Sequence, residues 1–491
     1  MGIPYYFYTL TKKYNTIVSS ILPIKVDIYF MDFNSIIHPI CDKLDNIIEN
    51  NVYEELYKKI EKDIKMLNPK KTYICVDGVA PLAKMIQQRK RRYLTVYKNK
   101  LDGIKNKWDK NAITPGTKFM KNMDKYFKNR LEELSIHYSG SDENGEGEHK
   151  IFNFLSNDIN TDNENIVING LDADLIILSL LSHKKIFLMR EGEELSYVNI
   201  LELRKAIIHE LKIKWELSEI INEDDIIETY CVMCSLLGND FIPHLLTLNL
   251  KNNGLDTLMT FTGNSYKNIG QLLVENNKIN YVVLGDILQQ LSMIEDVEIL
   301  KETEIYIKKK VYDVTNTSSE LYGIKNKDII ANSIYAGISK WRQIYYKSLF
   351  NTNILITSTV LTQICKNYIE GIYWTYAYYK KQSYDNTWFY AYPYPPSIKD
   401  MSNYIIGNNE IKMSSSNLII TPEIQLMIVL PRESIELIDD KYKKYLTDKS
   451  LGLYHLYPSK YIIRTYLKTH LWECIPILPN VNISHLKKYI K

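Results

Sequence analysis

Seven carboxylates in five separate segments, each placed where an apolar run stops or starts, are the residues of this chain best suited to chemistry. They are Asp32 in VDIYFMDFN, Asp77 in TYICVDGVA, Glu146 and Glu148 in GEGEHK, Asp172 and Asp174 in INGLDADLI, and Asp240 in LLGNDFIPH. If a fold brought them together, they would repel one another unless a cation lay between them. Hard cations such as Mg²⁺ prefer oxygen ligands and are usually held by carboxylates together with substrate phosphates. Two such ions about 4 Å apart stabilise the attacking and leaving oxygens of an in-line phosphoryl displacement. Asp172 and Asp174 share one side if LDADL is extended, and Glu146 and Glu148 repeat that two-residue step. The interleaved Gly145 and Gly147 allow a close approach of the two glutamates. Each acid alone reads equally well as a cap or turn residue. The set as a whole reads as a shared metal site.

A basic constellation follows Asp77 directly. In PLAKMIQQRKRRY, Gln88, Arg91 and Arg92 lie four, seven and eight residues beyond Lys84, on one face of a helix. Such a face can form charge-assisted hydrogen bonds to a terminal phosphate. From Lys84 to Lys107 there are nine Lys or Arg and a single acid, Asp102. A solvated basic helix face is the plain alternative, but its position just after a metal-site strand favours a substrate phosphate.

These groups need a scaffold, and the chain supplies one. Short β-branched or aromatic runs (KVDIYFMD, KTYICVD, NIVINGLD, KKIFLMRE) alternate with longer helical patterns such as Val52 to Met66. This alternation predicts an α/β fold with a mostly parallel central sheet flanked by helices. Ligands of open sheets sit beyond the carboxyl ends of the strands, where Asp32, Asp77 and Asp172 occur. The expected organisation is a catalytic region over 1–251, a helical connection over 252–335, and a second region over 336–491, mixed helical and extended, that packs on the first. The polar stretch VYDVTNTSSELYGIKNK is expected to be a loop. With 491 residues, 45% hydrophobic and 24% charged, the chain has the composition of a soluble protein of two or three packed units, and its net charge of +3 says little about partners. Neither a signal peptide nor an apolar run of membrane-spanning length is evident, so no membrane association is expected. Six cysteines (41, 75, 231, 234, 365, 474) fit reduced intracellular thiols. Cys231 and Cys234 fall in the helical pattern ETYCVMCSLLGN and read as core rather than as half of a zinc site.

Taken together, these stretches resemble the Xrn family of 5′→3′ exoribonucleases. The resemblance runs through MGIP, MDFNSIIHP, DGVAPLAKMIQQRKRR, ITPGTKFM, SGSDENGEGEHKIFNFL, GLDADLIIL and LLGNDFIPH, then through NNGLDTLM, EGIYWTYAYY, TWFYAYPYPP, TPEIQLMIVLP and LWECIPILP, in order along nearly the whole chain. It implies a nuclease core of the PIN/flap-nuclease-like type that processively removes nucleotides from single-stranded RNA with a 5′ monophosphate. Two Mg²⁺ ions would serve, with Mn²⁺ as a substitute. The family's metal-binding and catalytic acids fall on Asp32, Asp77, Glu146, Glu148, Asp172, Asp174 and Asp240. Its 5′-phosphate pocket falls on Lys84, Gln88, Arg91 and Arg92, as a dead end too small for a cap or triphosphate. Its base-stacking pair would be His38 with either Trp374 or Trp388. Stacking contributes on the order of 1–3 kcal/mol per base and tolerates any sequence. By the same resemblance, Met1 is removed and Gly2 buried.

Departures from the family are also visible. Glu228-Thr229 stands where paired acids often precede the Gly-Asn-Asp motif, PYPP stands where HYAP is common, and the region between Tyr93 and Ile113 is short. The chain ends soon after LWECIPILP, which reads as a minimal nuclease core without added C-terminal domains. Abundant Asn, Ile, Lys and Tyr hint at an AT-rich source, a large DNA virus or a compact eukaryotic parasite. The expected role is RNA decay by a monomer fed by decapping machinery. Its location would be intracellular and cytoplasmic rather than nuclear, or a viral factory or virion for a viral source. The competing readings are a flap-type DNA nuclease, against which the QQRKRR helix argues, and an idle RNA-binding scaffold, which would gain nothing from seven mutually repelling carboxylates.

Overall fold

The structure, a computed structural model, describes residues 3, 5–44, 47–104, 108–157, 161–308, 329–350, 358–408, 415–416 and 418–490. The expectations for Gly2 and for the polar stretch 311–327 lie outside these residues. The four apolar runs form strands β2 (Ile28–Asp32), β3 (Lys71–Cys75), β5 (Ile166–Asn169) and β6 (Ile186–Glu191). Short strands β1 (Val18–Ser19), β4 (His137–Ser139) and β7 (Leu195–Asn199) complete a seven-stranded sheet of order β1-β7-β6-β5-β2-β3-β4. Strands β2 to β6 are parallel, and β7 and β1 close one edge antiparallel. The expected α/β class with a mostly parallel sheet is what the chain adopts.

Both faces of the sheet are covered, which explains why its strands read as continuous apolar runs. Side chains alternate along β2, so Ile28 and Phe30 enter one core while Tyr29 and Met31 enter the other. The second core is closed by α2 (Asn34–Lys43), α3 (Glu49–Leu67) and α5 (Lys118–Glu132), as Ile37, Leu56 and Met123 show. On the first face lie α6 (Gly147–Asn157), α7 (Asp174–Ser182) and α8 (Ile200–Trp215), and the same core extends outward through α1 (Tyr6–Lys13), α9 (Glu223–Ser235), α10 (Gly254–Ile269) and α11 (Tyr281–Lys308). That core continues into the helix Ser358–Tyr379 through Tyr368 and Trp374, so the second half of the chain shares it. Helix α4 (Leu82–Leu101) contributes Leu82 and Met85 to a third apolar cluster with Ile424, Met427 and Leu456.

In the last third, the expected extended runs reduce to one ribbon, Ile462–Arg464 paired with Ile475–Ile477; the rest of the described residues are mainly helices and loops. The aromatic residues there pack helices rather than build a sheet. Among the described residues no helix is long and apolar enough to cross a membrane. All six cysteines are buried free thiols, Cys231 and Cys234 within α9.

One buried acid couples this packing to pH. Glu295 of α11 accepts the backbone N–H groups of Ile398 (2.6 Å) and Lys399 (3.1 Å), at the start of the helix Ile398–Ile406. Burial outweighs these bonds and pushes its pKa up from 4.5 to about 7. The folded state therefore holds a proton between those values that the unfolded chain releases. Stability from this group is full below pH 4.5 and is lost as pH rises through 7, by about 3 kcal/mol in all. Urea midpoints at pH 5 and pH 8 should show a decline in the wild type that is smaller in Glu295→Gln.

Candidate metal centre and phosphate pocket

The acids meet at the carboxyl edge of the sheet, around the point between β2 and β5 where the strand order reverses, which is where open α/β sheets bind ligands. Asp32 is the last residue of β2, and Asp77 follows β3 by two residues. The segment after β3 is joined to the glycine-rich loop before α6: Gly78 N–H donates to Gly145 O (2.8 Å), and Gly145 N–H donates to Val79 O (2.9 Å). Gly145 has φ +102°, a left-handed conformation that favours glycine. Gly147 N–H donates to Asp77 Oδ1 at 2.7 Å. A Cβ on Gly147 would lie 2.7 Å from Asp32 Oδ1 and 2.8 Å from Cys75 O. This glycine is what lets α6 begin against two carboxylates. Gly147→Ala should lower the rate of any reaction carried by these acids by about a hundredfold through displacement of Asp32, with substrate affinity unchanged. Single-turnover and binding measurements on one folded sample would check this.

The pairs do not follow the extended two-residue step expected of them. Gly147 and Glu148 open α6, Ala173 is in the right-handed helical region, and Asp174 is the first residue of α7. Both pairs come together because a helix starts between or at them, and helix starts favour negative charge. Ligand oxygens of Asp172, Asp174 and Asp240 lie within 4.8 Å of one another, as do ligand atoms of Glu146, Glu148 and His149. Asp240 is set by a turn in which Asn239 Oδ1 accepts the N–H groups of Phe241 (2.8 Å) and Ile242 (3.0 Å), after Gly238 at φ +84°.

The electrostatics favour a cation. Asp174 is 1% exposed, and neither of its carboxylate oxygens has a hydrogen-bond partner. Burial, with repulsion from Asp77 and Asp172, pushes the pKa of Asp32 well above its ordinary value. Burial raises Glu146 and Glu148 as well, against the pull of Lys84. The oxygen-only trio Asp172, Asp174 and Asp240, with the buried Asp174 carboxylate orphaned, fits a hard divalent ion.

Lys84 is placed differently from its expected partners. Its Nζ lies 2.7 Å from Glu146 Oε1 and 2.9 Å from Asp240 Oδ2, among the acids rather than in an open phosphate pocket. Lys84 lies in the first turn of α4, nearest the strand ends, and burial there is offset by these carboxylates, which keep it charged. Gln88, Arg91 and Arg92 do come together, lining a cavity of about 560 Å³ with His38, Asn34 and Asp77. Arg92 Nη2 donates to Thr114 Oγ1 at 2.8 Å, while its Nη1 and Gln88 Oε1 are buried without a partner. Burial pushes the Arg92 pKa down to about 9, so its charge persists at neutral pH and an anion would be welcome beside it. His38 keeps an exposed edge. The surrounding protein and then the Arg91 charge push its pKa down to about 4, leaving a neutral ring.

The two tryptophans separate. Trp374 is fully buried between Phe241 (4.8 Å), Tyr378 (5.0 Å) and Trp388 (5.2 Å), and its Nε1 donates to Asp385 O, so it has no face to offer a base. Trp388 is only partly buried and is the one of the pair left open to that role. Sequence reasoning passed over Tyr378, whose hydroxyl donates to Glu146 Oε2 at 2.6 Å, and Asn34, whose Oδ1 accepts the Asp77 N–H at 3.0 Å. It also passed over Lys150, whose Nζ donates to Val76 O and Gly140 O, each at 2.7 Å, and so braces the loop that carries the glutamates. Asn34 could have been noticed beside Asp32; nothing local marks Tyr378. Glu228 is held by Lys380 at 2.7 Å and by the Tyr376 hydroxyl at 2.5 Å, and Thr229 Oγ1 accepts the Val274 N–H, so this departure is accounted for by packing.

Comparison with known proteins gives a family. The model of the XRN 5′-3′ exonuclease N-terminus matches residues 1–192, and that of the Xrn1 helical domain matches residues 220–322 and 297–491. Human (Homo sapiens) 5′-3′ exoribonuclease 1 is 24% identical over 99% of this chain and 34% of its own length. The Saccharomyces cerevisiae protein of the same name is 25% identical over 99% of this chain and 43% of its own. The chain therefore spans well under half of these two relatives. Among solved structures, the catalytic core of Rad2 in complex with DNA substrate has a TM-score of 0.35 at 12% identity, covering 66% of this chain and 85% of that one, a likeness too distant to bear on the site.

Proposed function

Because the chain belongs to the Xrn family of 5′-3′ exonucleases, we propose that it is a metal-dependent 5′→3′ exoribonuclease acting on single-stranded RNA with a 5′ monophosphate, in RNA decay. The observation that carries this reading is the shared wall: Asp77 belongs to the acidic cluster and also lines the cavity holding Gln88, Arg91 and Arg92. A terminal phosphate held by those three residues would set the first phosphodiester against the carboxylates. The seven acids would hold two Mg²⁺ ions, or Mn²⁺ in their place. Bound there, the ions would activate a water and stabilise the departing 3′ oxygen.

The chain's own residues do the rest. Arg91 and Arg92 fix the register of the 5′ end, which converts binding into alignment. His38, kept neutral, and Trp388 offer ring faces to bases, and translocation by one nucleotide refills the cavity, which makes degradation processive. Lys84 sits between the two clusters, where its ammonium can follow charge that shifts from carboxylate to phosphate.

A time course on one RNA bearing a 5′ monophosphate, triphosphate or hydroxyl, with Mg²⁺ or EDTA, tests the reading. Mg²⁺-dependent loss of the monophosphate form alone, with release of mononucleotides, is expected. Equal loss of all three forms would remove the pocket's role. Loss of only a branched DNA flap would favour a structure-specific DNA nuclease. Metal binding has its own readout: at a hundredfold excess over Kd, Mg²⁺ should stabilise the fold by about 2.7 kcal/mol in thermal unfolding. A melting temperature indifferent to Mg²⁺ and Mn²⁺ would count against the metal centre whatever the activity.

A further inference from the structure

Asp240 and Asn239 line a second cavity, of about 670 Å³, against a different strip of α4 from the one that lines the phosphate pocket. Its α4 wall includes Ile86, Lys90 and Leu94, residues spaced four apart and therefore on one face. Phe389, Lys468 and Trp472 also line it. A further cavity of about 280 Å³ adjoins at Lys468 and Trp472 and extends to Tyr5 and Lys251. Arg91 and Thr95 line both the phosphate pocket and the second cavity, so the two spaces flank α4 and reach the acidic cluster at Asp77 and Asp240 respectively.

The lining is mainly basic, with Lys90, Arg91, Lys98 and Lys468 against Asp240 and Glu473. Among the described residues Lys90 has no ion-pair partner, and burial pushes its pKa down to about 8. Among the described residues Lys468 has no salt-bridge partner: its Nζ is 3.4 Å from the neutral His244 at Nε2 and 5.9 Å from the centre of the Tyr394 ring, while His244 Nδ1 donates to Leu245 O at 2.9 Å. Of the two acids, Glu473 is tied to the backbone, accepting the N–H groups of Thr469 (2.7 Å) and His470 (3.1 Å) and the Thr469 hydroxyl. Trp472 is 56% exposed, an unusually open ring for its size, and lies parallel to the His470 ring within 8°. Unpaired cations beside exposed aromatic faces in a groove are the features by which proteins hold single-stranded nucleic acid without reading its sequence.

We propose that this second cavity is a binding subsite for the strand beyond the third nucleotide, downstream of the scissile bond, with Trp472 as a stacking platform and Lys90 and Lys468 on backbone phosphates. The inference rests on the exoribonuclease reading. If the 5′ end fills the first cavity and the first phosphodiester lies at the carboxylates, the strand must leave by another opening, and this one begins at Asp240.

Binding of 3′-fluorescein oligouridylates of 3 and 12 nucleotides, each with a 5′ monophosphate and in EDTA so that none is cut, separates the subsite from catalysis. Wild type should bind the longer strand about tenfold more tightly. Trp472→Ala, and separately Lys90→Ala with Lys468→Ala, should erase that advantage while binding of the trimer stays unchanged; Trp472→Phe should keep most of it. Retention of the advantage in both variants, or its absence from wild type, overturns the proposal. An equal loss for trimer and 12-mer also overturns it, and points to a path for the released mononucleotide instead. If wild type shows the length dependence yet cuts neither strand with Mg²⁺, the activity reading fails while the subsite stands.

Discussion

Asp174→Asn should lose hydrolysis by at least about a hundredfold and at the same time gain stability in EDTA. A divalent ion at developing charge contributes several kcal/mol to a phosphoryl-transfer barrier, and each 1.36 kcal/mol is a factor of ten. Asp174 is 1% exposed with two unpartnered oxygens, close to Asp172 and Asp240, so it is suited to hold such an ion and costly without one. Exchange for an isosteric neutral amide removes the repulsion and turns one unpaired acceptor into a donor beside Asp172 and Asp240, a gain of about 1–3 kcal/mol. Unfolding in EDTA and single-turnover cleavage with Mg²⁺, on the same preparation, read the two signs together. A variant that cleaves normally would remove Asp174 from the centre. A variant both inactive and less stable would point to a merely structural role.

Arg91→Ala should reduce the preference for a 5′ monophosphate over a 5′ hydroxyl by about 10- to 100-fold, because a hydrogen bond to a charged group is worth roughly 1.5–3 kcal/mol. The loss should fall on the monophosphate substrate alone. Arg91 is exposed in the cavity wall and is the cleaner probe of the pocket. Arg92 also holds Thr114, in a loop whose Gly116 (φ +93°) is packed against Pro422, where a Cβ would approach within 2.7 Å. Arg92→Ala should therefore lower stability as well as preference. An unchanged monophosphate-to-hydroxyl ratio in Arg91→Ala would separate the cavity from the 5′ end.

Much of this arrangement was legible in the chain because local physics and global fold agree. β-Branched and aromatic runs followed by acids read as buried parallel strands ending at a site, and β2, β3, β5 and β6 are those strands. What misread locally did so for a definable reason. GEGEHK and LDADLI place acids two apart, and a two-residue step is shared by an extended segment and by the loop-to-helix joint that α6 and α7 adopt. Only the apolar runs after them, packed on the sheet, decide for the helix. Lys84 shares a helix face with Gln88 and Arg91 on paper, yet its turn of α4 reaches Glu146 and Asp240 first.

The sequence by itself determined the sheet class, the seven acids, the basic helix and the family resemblance, because each is carried by a short contiguous stretch whose pattern is its own evidence. Tertiary structure alone decided that Tyr378 supports Glu146 from 232 residues away, that Trp374 is sealed in the core while Trp388 is not, and that Trp472 stands at the mouth of a second cavity opening on Asp240. Those outcomes depend on which surfaces meet when helices close over the sheet, and long-range packing of this kind leaves no periodic trace in the chain it joins.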